Sequence, residues 1–200
     1  MPDLDWQRAM DRLRNGNARY QAFRQAHPRL DPEWRAELAT GQNPFAAILG
    51  CADSRVPPEL IFDQGLGDLF VVRVAGNVVD DLVLGSLEFA VQRLRVPLVL
   101  VLGHAGCGAV TAALSATAPT GRLAAITRRI SPALSDHLPS DPAPERVDAA
   151  ARANARYVAA SLREAWPDRE RREGRVRVLP AFYRLEDGVV EFLDRETSGA

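Results

Sequence analysis

The 200-residue chain contains no lysine; all 25 of its basic residues are arginine. That absence excludes a phosphate-binding P-loop lysine and any mechanism that runs through a lysine Schiff base. Excess charge is absent as well, with 25 basic residues against 26 acidic ones and a formal net charge of -1. Such a balance offers no field for nucleic acid or for an anionic membrane surface. Long hydrophobic runs are missing. The longest, Val96 to Leu102, is interrupted by Pro97 and is far too short to span a bilayer. The first residues are acidic and amphipathic (Asp3, Asp5, Asp11), without the basic and apolar regions of a secretory signal. These features predict a cytoplasmic protein with neither membrane nor nucleic-acid partners. Cysteine is scarce: Cys51 and Cys107 are the only two. In a reducing compartment, two such residues point to metal or redox use rather than to a disulfide.

What is present is enough apolar material, 46% of the chain, for one domain with a sizeable core. The spacing of Trp6, Met10, Leu13, Ala18 and Phe23 predicts a helix over 4–26, ended by His27-Pro28. Asp31-Pro32 reads as an N-cap and first helical position, opening a short helix to about residue 40. Apolar runs ending in glycine predict strands at 45–49, 69–74 and 97–102, with a helix over 80–94 between the second and third. Further helices are predicted at 107–114, 121–136 and 144–166. Two last strands, 175–179 and 189–193, are joined through a turn at Asp187-Gly188. The alternation predicts an α/β fold over 1–200, a mainly parallel sheet flanked by helices, with a helical arm (1–40) ahead of the core (41–200).

Two clusters carry chemistry. Cys51-Ala52-Asp53-Ser54-Arg55 follows the first strand, and His104-Ala105-Gly106-Cys107 follows the third. Ligands in open parallel sheets sit outside the carboxyl ends of the strands, so both clusters lie at the functional rim. Cys51, His104 and Cys107 make a zinc donor set of two soft sulfurs and one imidazole, and three protein ligands leave a fourth position open. A shared metal requires the first and third strands to be neighbours. Right-handed crossovers then place the second strand beyond the first, giving the order 2-1-3-4 with an antiparallel edge strand. Asp53, two residues from a ligand, pairs with Arg55 and so stays an ionised acceptor that can orient water at the metal. His27 and His137 have no partner near in sequence and read as surface histidines. The Arg-rich run at 169–177, interleaved with Glu170 and Glu173, reads as a solvated face.

The stretches CADSR (51–55) and GHAGCG (103–108) resemble the two zinc signatures of β-class carbonic anhydrases. The resemblance extends through GQNP before the first signature, DQGLGDLFVVRVAGN (63–77) after it and GSLEFAV (85–91) before the second, and is weakest at 120–175. It implies one Zn2+ per chain, carbon dioxide and bicarbonate as the reacting pair, and Asp53 with Arg55 as the catalytic dyad. It also implies Gln42, Phe70, Ala75, Phe89 and Gly108 as the substrate pocket. Phe89 stands where many relatives have tyrosine, and Ala105-Gly106 where a serine is common. The family's N-terminal arm wraps a neighbouring subunit and its active site lies at that interface, so the resemblance implies a homodimer or a dimer of dimers. The apolar face of Trp6, Met10 and Leu13 is expected to need that partner.

In one branch of the family the aspartate becomes the fourth metal ligand at low pH, and bicarbonate favours this closed state from a pocket of tryptophan, arginine and tyrosine. The aligned positions here are Ile48, Arg73 and Tyr183. Ile48 donates no hydrogen bond, so the expectation is a weakened pocket and an open site, with Asp53 held by Arg55. Three alternatives stay open on the sequence: a hydrolase for carbonyl sulfide or carbon disulfide on the same scaffold, a non-catalytic zinc module, and a Cys51–Cys107 thiol switch.

Overall fold

Strands of near-continuous apolar sequence alternate with amphipathic helices, and the chain arranges them as a sheet covered on both faces. The structure is a computed structural model describing residues 3–117, 119–134, 143–166 and 176–193. The strands are β1 (Ala46–Gly50), β2 (Leu69–Arg73), β3 (Leu98–His104), β4 (Arg177–Tyr183) and β5 (Val190–Phe192). Their spatial order is β2-β1-β3-β4-β5, parallel except for the β4–β5 pair. This is the order expected from a metal shared between the first and third strands. β1 and β3 are buried along their whole length, as central strands of a doubly covered sheet must be.

The helices are α1 (Asp3–Gln21), α2 (Pro32–Leu38), α3 (Pro58–Ile61), α4 (Asp81–Gln92), α5 (Gly108–Leu114), α6 (Leu123–Ile130) and α7 (Pro144–Ala165), with a 3-10 turn at Ala75–Asn77. Successive strand residues point to opposite faces. Ile48, Leu100 and Leu102 meet Met10 and Leu13 of α1 on one face. Ala47, Leu49, Val99 and Val101 meet Leu87 of α4 and Val158 of α7 on the other. Two caps expected from sequence are in place. Asp31 accepts the Trp34 N–H at 2.7 Å, and Asp80 accepts the N–H groups of Leu82 and Val83.

Three expectations need correction. The first helix ends at Gln21, not 26, and α3 was not foreseen. Phe23 adopts φ 54°, its N–H bonds to Tyr20 O, and the Arg24 N–H reaches Arg19 O. That is a Schellman closure with a phenylalanine where glycine is usual, so the sequence carried no stop signal there. Second, β4 runs through Pro180 to Tyr183 instead of ending at residue 179. Pro180 O accepts from Leu193, so the side of the proline that lacks an N–H faces the β5 side, and the ladder to β3 loses no donor. Third, the apolar face of α1 is covered by its own chain. Met10 and Leu13 are 2% and 0% exposed within the core. Buried Asn17 locks the helix down, donating to Ile61 O at 3.1 Å and Gly188 O at 2.8 Å and accepting the Val190 N–H at 2.9 Å. α1 thus covers that face of the sheet together with Val56, Ile61 and Phe62.

Candidate metal centre

The parallel pairing of β1 with β3 carries the two clusters to one place. Cys51 directly follows β1, His104 is the last residue of β3, and Cys107 is the N-cap of α5. The Cys51 and Cys107 sulfurs and a His104 ring nitrogen all lie within 4.8 Å of one another, and all three residues are buried. His104 Nδ1 lies 2.9 Å from its neighbour's carbonyl, Ala105 O. Donating there leaves Nε2 with a free lone pair. Nε2 is buried with no hydrogen-bond partner. Leaving such an atom unsatisfied costs about 1–3 kcal/mol, a cost that metal ligation removes. The donor set therefore fits a soft or borderline divalent ion such as zinc.

The two sulfurs shift each other in opposite directions. The neighbouring Cys107 side chain holds the Cys51 thiol well below its ordinary range; burial opposes this, and the Gly76 N–H, 3.3 Å from Sγ, assists. The Cys51 side chain, together with burial, pushes Cys107 up. Metal binding releases the remaining proton.

Asp53 is turned onto Arg55 and is not one of the clustered donors. Its Oδ1 accepts from the Arg55 backbone N–H at 2.9 Å and from Nε at 3.0 Å, and its Oδ2 accepts from Nη2 at 2.8 Å. This fork holds the Asp53 carboxyl well below the usual carboxylate range. Arg55 Nη2 also reaches Gly106 O at 3.4 Å, tying the dyad to the loop between His104 and Cys107.

The remaining site residues divide between the two ends of the strands. Ala75 stands beside Gly76 at the metal donors, and Gly108 opens α5 next to Cys107. Gln42 lies at the other end, exposed before β1 in a groove with Arg12, Trp34 and Asp68. Phe70 is paired with Ala47 near the amino end of β1, and its ring centroid is 6.2 Å from that of Phe89 on α4. A five-residue strand such as β1 is about 16 Å long, so one chain does not bring Gln42 to its own donors. Of the bicarbonate-pocket positions, Ile48 is fully buried, and Tyr183 shares a 3.2 Å hydroxyl contact with Tyr20. Arg73 donates to Cys51 O at 2.9 Å and also to Asp53 O. Its role here is to brace the ligand loop, which the sequence reading did not assign. His27 gives a backbone N–H to Asp63 and joins no donor cluster among the described residues. His137 and residues 169–175 lie outside the described residues.

Two supporting residues escaped the sequence reading. Asp148 of α7 accepts the Gly106 N–H at 2.9 Å, and Asn154 of α7 donates to Gly76 O at 2.9 Å. Both fall in the stretch of weakest resemblance. Only a polar residue on the alanine-rich buried face of a predicted helix could have flagged Asn154.

The carbonic anhydrase family model matches residues 46–190. This chain belongs to the β-carbonic anhydrase family. Carbonic anhydrase 2 of Mycobacterium tuberculosis is 52% identical over 138 residues, 67% of each chain. The carbonic anhydrase of Pseudomonas aeruginosa is 34% identical over 192 residues, 90% of this chain and 86% of that one. Among solved structures, one of two tetrameric β-carbonic anhydrases of the ascomycete Sordaria macrospora superposes with a TM-score of 0.75 at 27% identity, covering 82% of this chain and 87% of the other. The chain is thus an enzyme of the carbonic anhydrase class, whose reaction is carbon dioxide hydration. Among the described residues no helix is long and apolar enough to cross a membrane.

Proposed function

We propose that the chain hydrates carbon dioxide reversibly to bicarbonate and a proton, using one Zn2+ held by Cys51, His104 and Cys107. The observation that carries this reading is the buried, unpartnered Nε2 of His104 converging with two sulfurs. Zn2+ held there supplies Lewis acidity and makes water a nucleophile near neutral pH. Two sulfur donors temper that acidity, which gives Asp53 its work. Its carboxylate, kept ionised and aimed by Arg55, would accept a hydrogen bond from the attacking water and so turn a lone pair of that water toward the carbon of the substrate. The fork to Arg55 also keeps Asp53 off the donor cluster, so the site is open.

Ala75 and Gly108 line the chain's own side of the pocket. Gln42, Phe70 and Phe89 face a second copy of the chain, where Gln42 donates to a substrate oxygen and the two rings form an apolar wall. The working form is therefore a homodimer or a dimer of dimers, in the cytoplasm, where two reduced cysteines persist. The N-terminal segment joins that interface through its outer surface, since its inner face is spent on its own core. Stopped-flow hydration with metal analysis tests the reading. About one zinc per chain is expected, with activity lost on chelation and restored by added Zn2+. Full activity in metal-free protein would refute it.

A further inference from the structure

Asn154 is fully buried on α7, surrounded by Ala150, Ala151, Ala155, Val158 and Ala159. An amide in such surroundings is expensive unless it is used, because burying a polar group without partners is unfavourable and an aliphatic side chain fills a core at least as well. Asn154 spends one contact inside the protein: Nδ2 donates to Gly76 O at 2.9 Å, while Oδ1 finds no protein partner. Core packing does not account for the residue, and its one bond leads to the metal donors. Gly76 sits at φ 71°, ψ 15° in the 3-10 turn, and its N–H points at Cys51 Sγ from 3.3 Å. The left-handed backbone at Gly76 disfavours any side chain, and a Cβ there would also crowd Ile130 Cδ1 at 2.7 Å. The turn is thus held at both ends of one residue, its carbonyl by α7 and its N–H by the ligand sulfur.

We infer that Asn154 is a positioning residue for the metal site: by fixing the Gly76 carbonyl it aims the Gly76 N–H at Cys51 and sets the donor strength of that sulfur. The inference rests on the metal site proposed above. An N–H directed at a thiolate withdraws electron density from sulfur, which counters the charge donated by two thiolates. Outer partners of this kind orient ligands and tune metals even though they touch neither metal nor substrate.

The test uses the full chain loaded with Co2+ or Zn2+. Asn154→Ala and Asn154→Ser are compared with Val158→Ala, which opens a cavity one turn along the same helix without touching a polar group. In Asn154→Ala the sulfur-to-cobalt charge-transfer band moves to longer wavelength and the Zn2+ dissociation constant rises at least about tenfold. Val158→Ala lowers the melting temperature and leaves band and affinity unchanged. Asn154→Ser, which keeps a donor on the same Cβ, gives a band between parent and alanine variant; should the alanine variant not fold, the serine variant's displacement from the parent band is the deciding value. A parental band and affinity in whichever variant folds would overturn the inference, as would an equal change in Val158→Ala. A parent protein that takes up neither ion would instead overturn the metal site itself.

Discussion

At the carboxyl ends of β1 and β3 the donor loops are braced from within the chain, by Arg73 at Cys51 O and Asp53 O, by Asp148 at the Gly106 N–H and by Asn154 at Gly76 O. At the amino ends of the same strands Gln42 is exposed, and Phe89 is 48% exposed on the outer side of α4. The two rims carry different demands. Metal donors must be held to fractions of an ångström in one geometry, and a misplaced ligand costs affinity outright. A pocket wall acts through shape and one hydrogen bond, so assembly can supply it. In the function proposed above, the active site is split between what folding completes and what a second copy adds.

The sharpest way to break this comparison is at the complete rim. Cys51→Ala, His104→Ala and Cys107→Ala each lose zinc, and hydration falls to the buffer background. Arg55→Ala retains zinc, because among the described residues Arg55 hydrogen-bonds to Asp53 and Gly106 O and to none of the metal donors, while kcat falls roughly a hundredfold. Full activity in the Arg55 variant would remove the dyad from the mechanism. A smaller effect belongs to the open rim. Gln42→Ala lowers kcat/KM up to about tenfold, the worth of one hydrogen bond. Refolding Gln42→Ala together with Cys51→Ala sharpens the result. If Gln42 serves the neighbouring copy, mixed oligomers contain one native site and activity exceeds the sum of the two separate variants. Simple additivity would return Gln42 to its own chain.

The complete rim was the more legible part. Two cysteines, a histidine and strand-ending glycines at the right places were enough to draw the donor set and, through the shared metal, the strand order. What failed was set by backbone detail and by long-range packing. Phe23 closes α1 in a left-handed conformation that glycine usually signals, so the helix looked longer than it is. Pro180 marked a stop that the sheet does not require, because its missing donor faces the β5 side. The apolar stripe of α1 was visible in sequence, but periodicity says that a face is buried, not what buries it. Asp148 and Asn154 lie more than forty residues from the loops they hold, and no local pattern links them.

The smallest expected effect concerns that docking of α1 and tests whether the N-terminal segment belongs to its own domain. Asp63, after α3, has a side chain only 1% exposed and binds Arg19 Nε at 2.5 Å. It also accepts the N–H groups of Ala26 and His27 at 2.9 and 3.0 Å. Burial alone would push its carboxyl up; the two backbone N–H groups and Arg19 outweigh it and hold the carboxyl below the ordinary range. A depressed folded pKa means that the ionised form stabilises the fold. The contribution is complete above the unfolded value of about 3.9 and is lost as pH falls through the lower folded value. Asp63→Asn, which keeps the shape but presents a single acceptor oxygen, should cost about 2 kcal/mol at neutral pH. For a chain of this size that lowers the melting temperature by roughly 4–8 °C. The gap between parent and variant should then narrow below pH 4, as the parent's own carboxyl protonates. A gap that is absent at neutral pH would mean that Asp63 does not anchor α1, and one that persists unchanged into strong acid would mean that charge is not how it does so.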